Sequence, residues 1–160
     1  MVKYRRLTKE ELGLLEENFI RFLAAQSITG EDWKKHQEED KQKVAQLIDE
    51  FSDVVIEKTL HNVKILEQRT KQRIVFYEFL KEEARLYGIE FEQEIPLDLS
   101  GEFNWKDMVL LLQKPEYKAS FLTGSKKYSK GKLTEIYEVL EEGSRIVTDE
   151  KIFNSMFKLL

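Results

Sequence analysis

Large apolar side chains recur every three or four positions in the first part of the chain, at Leu12, Leu15, Phe19, Phe22 and Leu23. This period places them on one face of an amphipathic helix. Thr8 followed by Glu11 is typical of a capping box, in which each side chain accepts a hydrogen bond from a backbone N–H at the helix start. The pattern therefore predicts a helix from Lys9 to about Gln26.

A longer helical pattern follows a short helix that Thr29 is predicted to cap and that carries Trp33. Asp40 is predicted to cap this long helix, which runs from about Lys41 to Leu66. Its first apolar ridge contains Val44, Leu47, Ile48, Phe51, Val54, Val55, Ile65 and Leu66, and its second contains Ile56, Leu60 and Val63. At about 1.5 Å per residue such a helix would be close to 40 Å long, which makes it the predicted spine of the fold.

The segment from Ile74 to Phe91 allows two interpretations. Val75, Phe79 and Leu86 fit one face of a helix. The stretch IVFYEF, however, is dense in β-branched and aromatic residues, and RLYGIEF alternates as a strand does. A polar KEE separates the two stretches. We therefore predict a β-hairpin, even though its turn lacks the usual glycine or asparagine.

The last third of the chain reads as helix, strand, helix, strand and helix. Asn104 is predicted to cap the first of these helices, and the following stretch KASFLTG is predicted to be a short buried strand. The second helix is predicted to begin near Ser129 and to end before Gly143, which suits the left-handed residue after a helix. RIVT is the second short strand. Thr148 or Asp149 is then predicted to cap the last helix.

These elements predict the α+β fold class. A strand, a crossover helix and a strand usually place the two strands parallel in one sheet. We therefore predict a helical N-terminal half with one long helix, packed on a small mixed sheet made of the hairpin and the C-terminal α-β-α-β-α segment. The apolar fraction of 41% in 160 residues is enough for one core, so we predict a single domain of residues 1–160. Its helical part covers about 1–70 and its mixed part about 71–160.

Two parts of the sequence resemble a small uncharacterised bacterial family, a domain of unknown function. They are the N-terminal segment YRRLTKEEL and the ordered set Gly124, Tyr128, Glu135, Ile136, Tyr137, Leu140 and Gly143. The resemblance implies extended structure in the middle of the chain, which supports the hairpin. It implies no activity and no catalytic residues, because the family has none established.

Cysteine is absent from the chain, which excludes disulfides, thiolate nucleophiles and sulfur-based zinc sites. The first twenty residues carry charges throughout, where a secretory signal needs an unbroken apolar run, and no window has eighteen apolar residues. These observations predict a soluble, cytoplasmic protein without a membrane segment.

The segment Thr123–Lys132, TGSKKYSKGK, is predicted to be a loop and is the best candidate for an anion site. We call it the basic segment. A glycine turn before a helix start offers backbone N–H groups to an anion. The predicted site residues are Ser125, Lys126, Lys127, Tyr128, Lys130 and Lys132. A nucleotide-binding phosphate loop needs four residues between its glycines and then Lys-Ser or Lys-Thr. Here six residues separate Gly124 from Gly131, and Leu133 replaces the hydroxyl, so no nucleotide loop is predicted.

Metal and catalytic chemistry have weaker support. Two sets of residues, Asp32, His36 and Asp40 and then Asp53, Glu57 and His61, have the helical spacing of metal ligands. The second set lies opposite the apolar stripe and is predicted to face solvent. No ordered serine, histidine and acid motif exists. We therefore predict no metal and no cofactor and favour a protein without enzyme activity. A metal-dependent enzyme that uses His36 or His61 with neighbouring acids is a third alternative.

The predicted function is that of a small non-catalytic protein-interaction or regulatory module whose partner and oligomeric state the sequence does not identify. The alternative is a binder of a phosphate-bearing ligand or nucleic acid through the basic segment. Further basic clusters lie at Lys3–Arg6, Lys64–Arg73 and Lys114–Lys118, which could widen a nucleic-acid surface if they converge. The formal net charge of −4 argues against that alternative.

Overall fold

The computed structural model describes residues 1–159, with side chains described up to residue 157. The chain divides into two compact units, one from Met1 to His61 and one that begins at Asn62. The first unit is helical, whereas the second contains helices and a five-stranded sheet. The predicted α+β class, with its helical N-terminal half, is confirmed. None of the described helices is long and apolar enough to cross a membrane.

Four helices form the first unit: α1 (Lys9–Leu14), α2 (Glu16–Ala25), α3 (Gly30–Glu39) and α4 (Lys41–His61). Both side chains of the predicted capping box at Thr8 make their hydrogen bonds. The prediction of one continuous helix to residue 26 is wrong, because Leu15 leaves the helical conformation with φ −108° and ψ 21°. Gly13, a poor helix former, lies just before this break.

The segment before α1 is bound to α4 by polar side chains of that helix. The Asp53 carboxylate accepts hydrogen bonds from the backbone N–H groups of Lys3 and Tyr4, at 2.8 and 3.1 Å. The buried Ser52 hydroxyl accepts one from the Leu7 N–H at 3.0 Å. The prediction that Asp53 faces solvent is therefore wrong, because this carboxylate anchors the N-terminal segment.

The long helix α4 is present but ends at His61 rather than at Leu66. Ile65 and Leu66 belong instead to a strand, β1 (Ile65–Arg69). Every residue of β1 pairs with the following strand, β2 (Arg73–Phe79), through a turn at residues 70–73. Pairing between strands is a long-range interaction, so the helical spacing of these apolar residues did not reveal it.

The remaining strands are β3 (Glu83–Phe91), β4 (Ala119–Lys127) and β5 (Arg145–Ile146), and the order in the sheet is β4-β3-β2-β1-β5. The predicted hairpin is confirmed as the antiparallel pair β2 and β3. The predicted mixed sheet is wrong, because every pair is antiparallel. Strands β4 and β5 do run in the same direction, but they lie at opposite edges and do not pair.

The two faces of the sheet are covered differently. Helices α5 (Trp105–Leu112) and α7 (Lys151–Leu159) cover one face, and the buried core there includes Ile74, Phe76, Tyr87, Ile89, Phe91, Met108, Leu111, Phe153 and Met156. Helix α6 (Lys132–Glu141) lies over the other face, where Val139 and sheet residues line a common cleft. The predicted cap at Asn104 and the left-handed Gly143, with φ 95°, are both confirmed.

Gly88 marks a close approach of side chains on the α6 face. A Cβ atom at this position would lie 3.0 Å from the Val75 Cγ2 atom, 3.1 Å from the Ile74 carbonyl oxygen and 3.3 Å from the Leu122 Cδ1 atom. A side chain here requires these neighbours to shift by a few tenths of an ångström, and the Ile74 carbonyl is backbone, which does not move aside cheaply.

We predict that Gly88→Ala lowers the free energy of unfolding by about 1–3 kcal/mol, because the added methyl group overpacks this contact. Gly124→Ala is the matched control, since Gly124 lies in the adjacent strand on the same face and a Cβ there meets nothing within 4 Å. Its effect should stay within about 0.5 kcal/mol. Urea denaturation measures the free energy of unfolding of both variants. Equal effects would show that the close contact at Gly88 does not destabilise the alanine variant.

Candidate functional site

The basic segment consists of three structural parts. Thr123–Lys127 is the second half of strand β4, residues 128–131 form a turn, and α6 begins at Lys132. The prediction of one loop from residue 123 to 132 is therefore wrong in its first half. The predicted short buried strand is also wrong, because β4 has nine residues and seven of them are exposed. Pairing with β3 as far as Lys127↔Glu83 extends the strand.

Two of the predicted lysines are paired with acids of α6. The Lys126 Nζ atom lies 3.1 Å from a carboxylate oxygen of Glu135, and the Lys130 Nζ atom lies 2.8 Å from one of Glu138. Lys127 and Lys132 make no salt bridge with the described residues. The segment thus keeps about half of the positive charge that its composition indicates.

The turn itself already holds an anion, which is the carboxylate of Glu135. Its Oε2 atom accepts a hydrogen bond from the Lys130 backbone N–H at 3.2 Å. Burial raises the pKa of Glu135, but hydrogen bonds from Lys126 and the turn backbone outweigh it, so the pKa is lowered overall. Gly131 follows with φ 98° and caps α6 without a side-chain hydrogen bond. The chain itself therefore supplies an anion to this turn, the Glu135 carboxylate.

Tyr128 joins the end of β4 to the hairpin turn between β2 and β3. Its hydroxyl lies 2.7 Å from the Leu80 carbonyl oxygen and 2.9 Å from that of Glu83, and it donates to this pair. Burial, with the charges of Glu135 and Glu83 adding to it, raises the pKa of Tyr128 to about 12. The tyrosine therefore acts as a structural anchor, and its hydroxyl is not displayed toward a ligand. It also stabilises a turn that lacks glycine and asparagine.

Strand β4 forms an edge of the sheet, and its outer hydrogen-bonding groups can be assigned. Just beyond the two ends of the β3–β4 pairing, Glu92 N–H donates to the Lys118 carbonyl and Tyr128 N–H to the Glu82 carbonyl. Antiparallel pairs alternate between hydrogen-bonded and non-hydrogen-bonded residues. Even-numbered residues of β4 therefore bond to β3. The backbone groups of residues 119, 121, 123, 125 and 127 point outward, and no strand in the described part of the chain pairs with them.

A cleft of about 410 Å³ lies between α6 and the sheet, beside β4. Its apolar wall includes Phe79, Leu86 and Val139, and the exposed Gly124 belongs to its lining. A second cleft of about 480 Å³ lies across the sheet, where Glu67 pairs with Arg69 at 2.9 Å and with Arg145 at 3.4 Å. Because Glu67 and Glu102 balance the two arginines that line it, this second cleft has no excess charge to select an ion.

Several of the other candidate residues are used within the fold. Asp32 completes a capping box with Thr29, and Arg5 and Arg6 pair with Glu11 and Asp49. Within residues 1–159, no group of three residues of the types that bind metals is arranged to hold an ion. The outer edge of β4 is thus the best candidate site. Sequence reasoning missed it, and the signal was the pair Lys126-Lys127, since lysines often mark edge strands.

The comparisons with known proteins identify a family for this chain. The profile of DUF6495, a family of unknown function, matches residues 1–160. The chain belongs to this family. No curated protein and no solved structure matches it. The DUF6495 assignment confirms the resemblance to a domain of unknown function, and the site must be interpreted from its own geometry.

We predict that Tyr128→Phe lowers the free energy of unfolding by about 1 kcal/mol at neutral pH, because a half-buried hydrogen bond is lost. The pKa of Tyr128 is raised in the folded state, so its stabilising contribution is present below about pH 10 and is lost as the pH rises toward 12. The difference from wild type should therefore shrink over that interval. Urea denaturation at neutral and alkaline pH tests this, and a constant difference would contradict it.

A second prediction concerns the acids that hold the lysines. Glu135→Gln/Glu138→Gln should elute from heparin at higher salt than wild type, because two negative charges are removed and Lys126 and Lys130 are released. Lys127→Gln/Lys132→Gln is the control and should elute earlier. Identical elution of all three proteins would show that the basic segment attracts no polyanion.

Proposed function

We propose that this DUF6495 protein is a non-catalytic protein-interaction module that binds an extended polypeptide segment along the outer edge of β4. The observation that carries the proposal is the row of outward backbone groups at residues 119, 121, 123, 125 and 127. An added strand satisfies such groups with main-chain hydrogen bonds, and neighbouring pockets select its side chains.

The length of β4 supports this proposal. Natural proteins usually keep edge strands short or cover them, because an exposed edge recruits other chains. Strand β4 has nine residues, against a usual five or six, whereas the opposite edge strand β5 has only two. Phe121 is 47% exposed on the outer strand. A long, accessible edge with an apolar side chain is what a strand-binding surface requires.

The predicted site residues take a new role in this proposal. Ser125, Lys126 and Lys127 belong to the edge itself, and Tyr128, Lys130 and Lys132 flank its end. The alternative, a phosphate-bearing ligand or nucleic acid, has less support because Glu135 and Glu138 already pair with Lys126 and Lys130. A single domain, a cytoplasmic location and a bacterial origin remain predictions.

Panning a displayed library of random twelve-residue peptides tests the proposal. Wild-type protein should enrich peptides that Thr123→Pro fails to bind. Proline removes the outward N–H at residue 123 but leaves the bonds between β4 and β3, which involve the even-numbered residues. Thr123→Val keeps the N–H and is the matched control.

Thermal unfolding and circular dichroism must show that both variants are folded. Enriched peptides that bind wild type, Thr123→Val and Thr123→Pro equally would locate the interaction elsewhere. Failure to enrich any peptide on a protein that is monomeric in solution would contradict the proposed function.

A further inference from the structure

We infer that the segment bound along β4 is the same strand of a second copy of this chain, paired antiparallel about a twofold axis at Thr123. This inference rests on the proposed function and names its partner. A twofold axis at an antiparallel strand pair matches residue i of one copy with residue 246 − i of the other. The pairs are then Thr123 with Thr123, 121 with 125, and 119 with 127.

The hydrogen-bonding pattern of β4 permits this register. The pairing at Thr123 brings together only odd-numbered residues as hydrogen-bonded pairs, and these are the residues whose backbone groups point outward. Strand β4 extends from 119 to 127, so Thr123 is its midpoint. The neighbouring registers that also pair odd-numbered residues, with the axis at residue 122 or 124, would leave two of the nine residues without a partner in the strand.

The side chains of β4 are complementary to themselves in this register, since each large residue faces a small one. Phe121 faces Ser125, Leu122 faces Gly124, Lys126 faces Ser120, and Lys127 faces Ala119. Each Leu122 thereby reaches the side of the sheet where Gly124 borders the α6 cleft, whose wall includes Leu86 and Val139. The exposed Phe121 ring gains neighbours on the opposite face.

The charges are also compatible. Residues 127 of the two copies lie eight residues apart along the pair, about 27 Å at 3.4 Å per residue, so these lysines do not repel appreciably. Each Lys126 faces Ser120 of the second copy, and Ser120 pairs in its own sheet with the exposed Glu90. In the second copy, the acidic Glu90 therefore lies one strand beyond Ser120, the residue that Lys126 faces.

The contact is about 30 Å long but only one strand wide. Strand pairing alone buries less than the roughly 800 Å² per partner of a standard interface. The dimer should therefore be reversible. Sedimentation velocity from low micromolar to several hundred micromolar protein should show a monomer that converts to a dimer as concentration rises.

Single-cysteine variants test the register directly, because the chain has no cysteine of its own. Thr123→Cys should form a disulfide-linked dimer under mild oxidation, since a hydrogen-bonded antiparallel pair has Cα atoms about 5.5 Å apart, within disulfide range. Lys127→Cys is the control and should not cross-link, because its copies lie at opposite ends of the pair. Cross-linking at 127 but not at 123 would overturn the register.

A charge exchange at the axis provides an independent test that needs no covalent bond. Thr123→Lys and Thr123→Asp should each remain monomeric, because like charges face each other directly. Mixing the two should restore a dimer by sedimentation. A dimer that persists in both variants and in Thr123→Pro would place self-association on another surface and overturn the inference.

The outcomes separate the two proposals. A protein that is monomeric at every concentration, but that binds library peptides through an intact Thr123 N–H, overturns this inference and leaves the strand-binding function standing. A dimer with the predicted cross-link supports both. A protein that neither dimerises nor binds peptides contradicts both.

Discussion

The pairing of β3 with β4 is the interaction on which the second unit depends. It runs without interruption from Glu83↔Lys127 to Phe91↔Ala119. Because the hydrogen bonds of an antiparallel pair alternate, this register also determines which backbone groups of β4 face outward. Gly88 permits the close packing of Val75 and Leu122 across these strands. The same pairing delivers the chain to the turn at 128–131 and so places the start of α6.

The sequence predicted the helix ends correctly where capping residues next to the helix determine them. Thr8, Thr29 and Asn104 each cap the helix that was expected, and Gly143 has the expected left-handed conformation. Strand β1 was missed because its apolar residues also continue the helical period of α4. The sheet was predicted to be mixed for a related reason. Adjacency of strands depends on partners far away in sequence, and a strand–helix–strand order does not reveal an intervening β1, β2 and β3.

The composition of the basic segment indicates more positive charge than the structure leaves unpaired, because two of its four lysines pair with acids. Its lysines predicted an anion site, and the residues that pair with them lie in the next helix. Glu135 and Glu138 are three positions apart on α6 and therefore share one face toward β4. Sequence alone could have suggested those pairs only if the end of β4 and the start of α6 were known to be adjacent. The outer edge of β4 could not be predicted either, because the order of all the strands in the sheet decides which strand lies at its edge.

The hydrogen bonds of the Tyr128 hydroxyl have a consequence beyond the strength of one contact. They attach the first residue after β4 to both sides of the β2–β3 turn, so β4 cannot slide along β3 without breaking them. A slip of one residue would exchange the two faces of the strand and would turn the outward backbone groups inward. Tyr128 therefore keeps β4 in a single register against β3. Any chain that pairs with the outer edge of β4 then always meets the same order of backbone donors and acceptors.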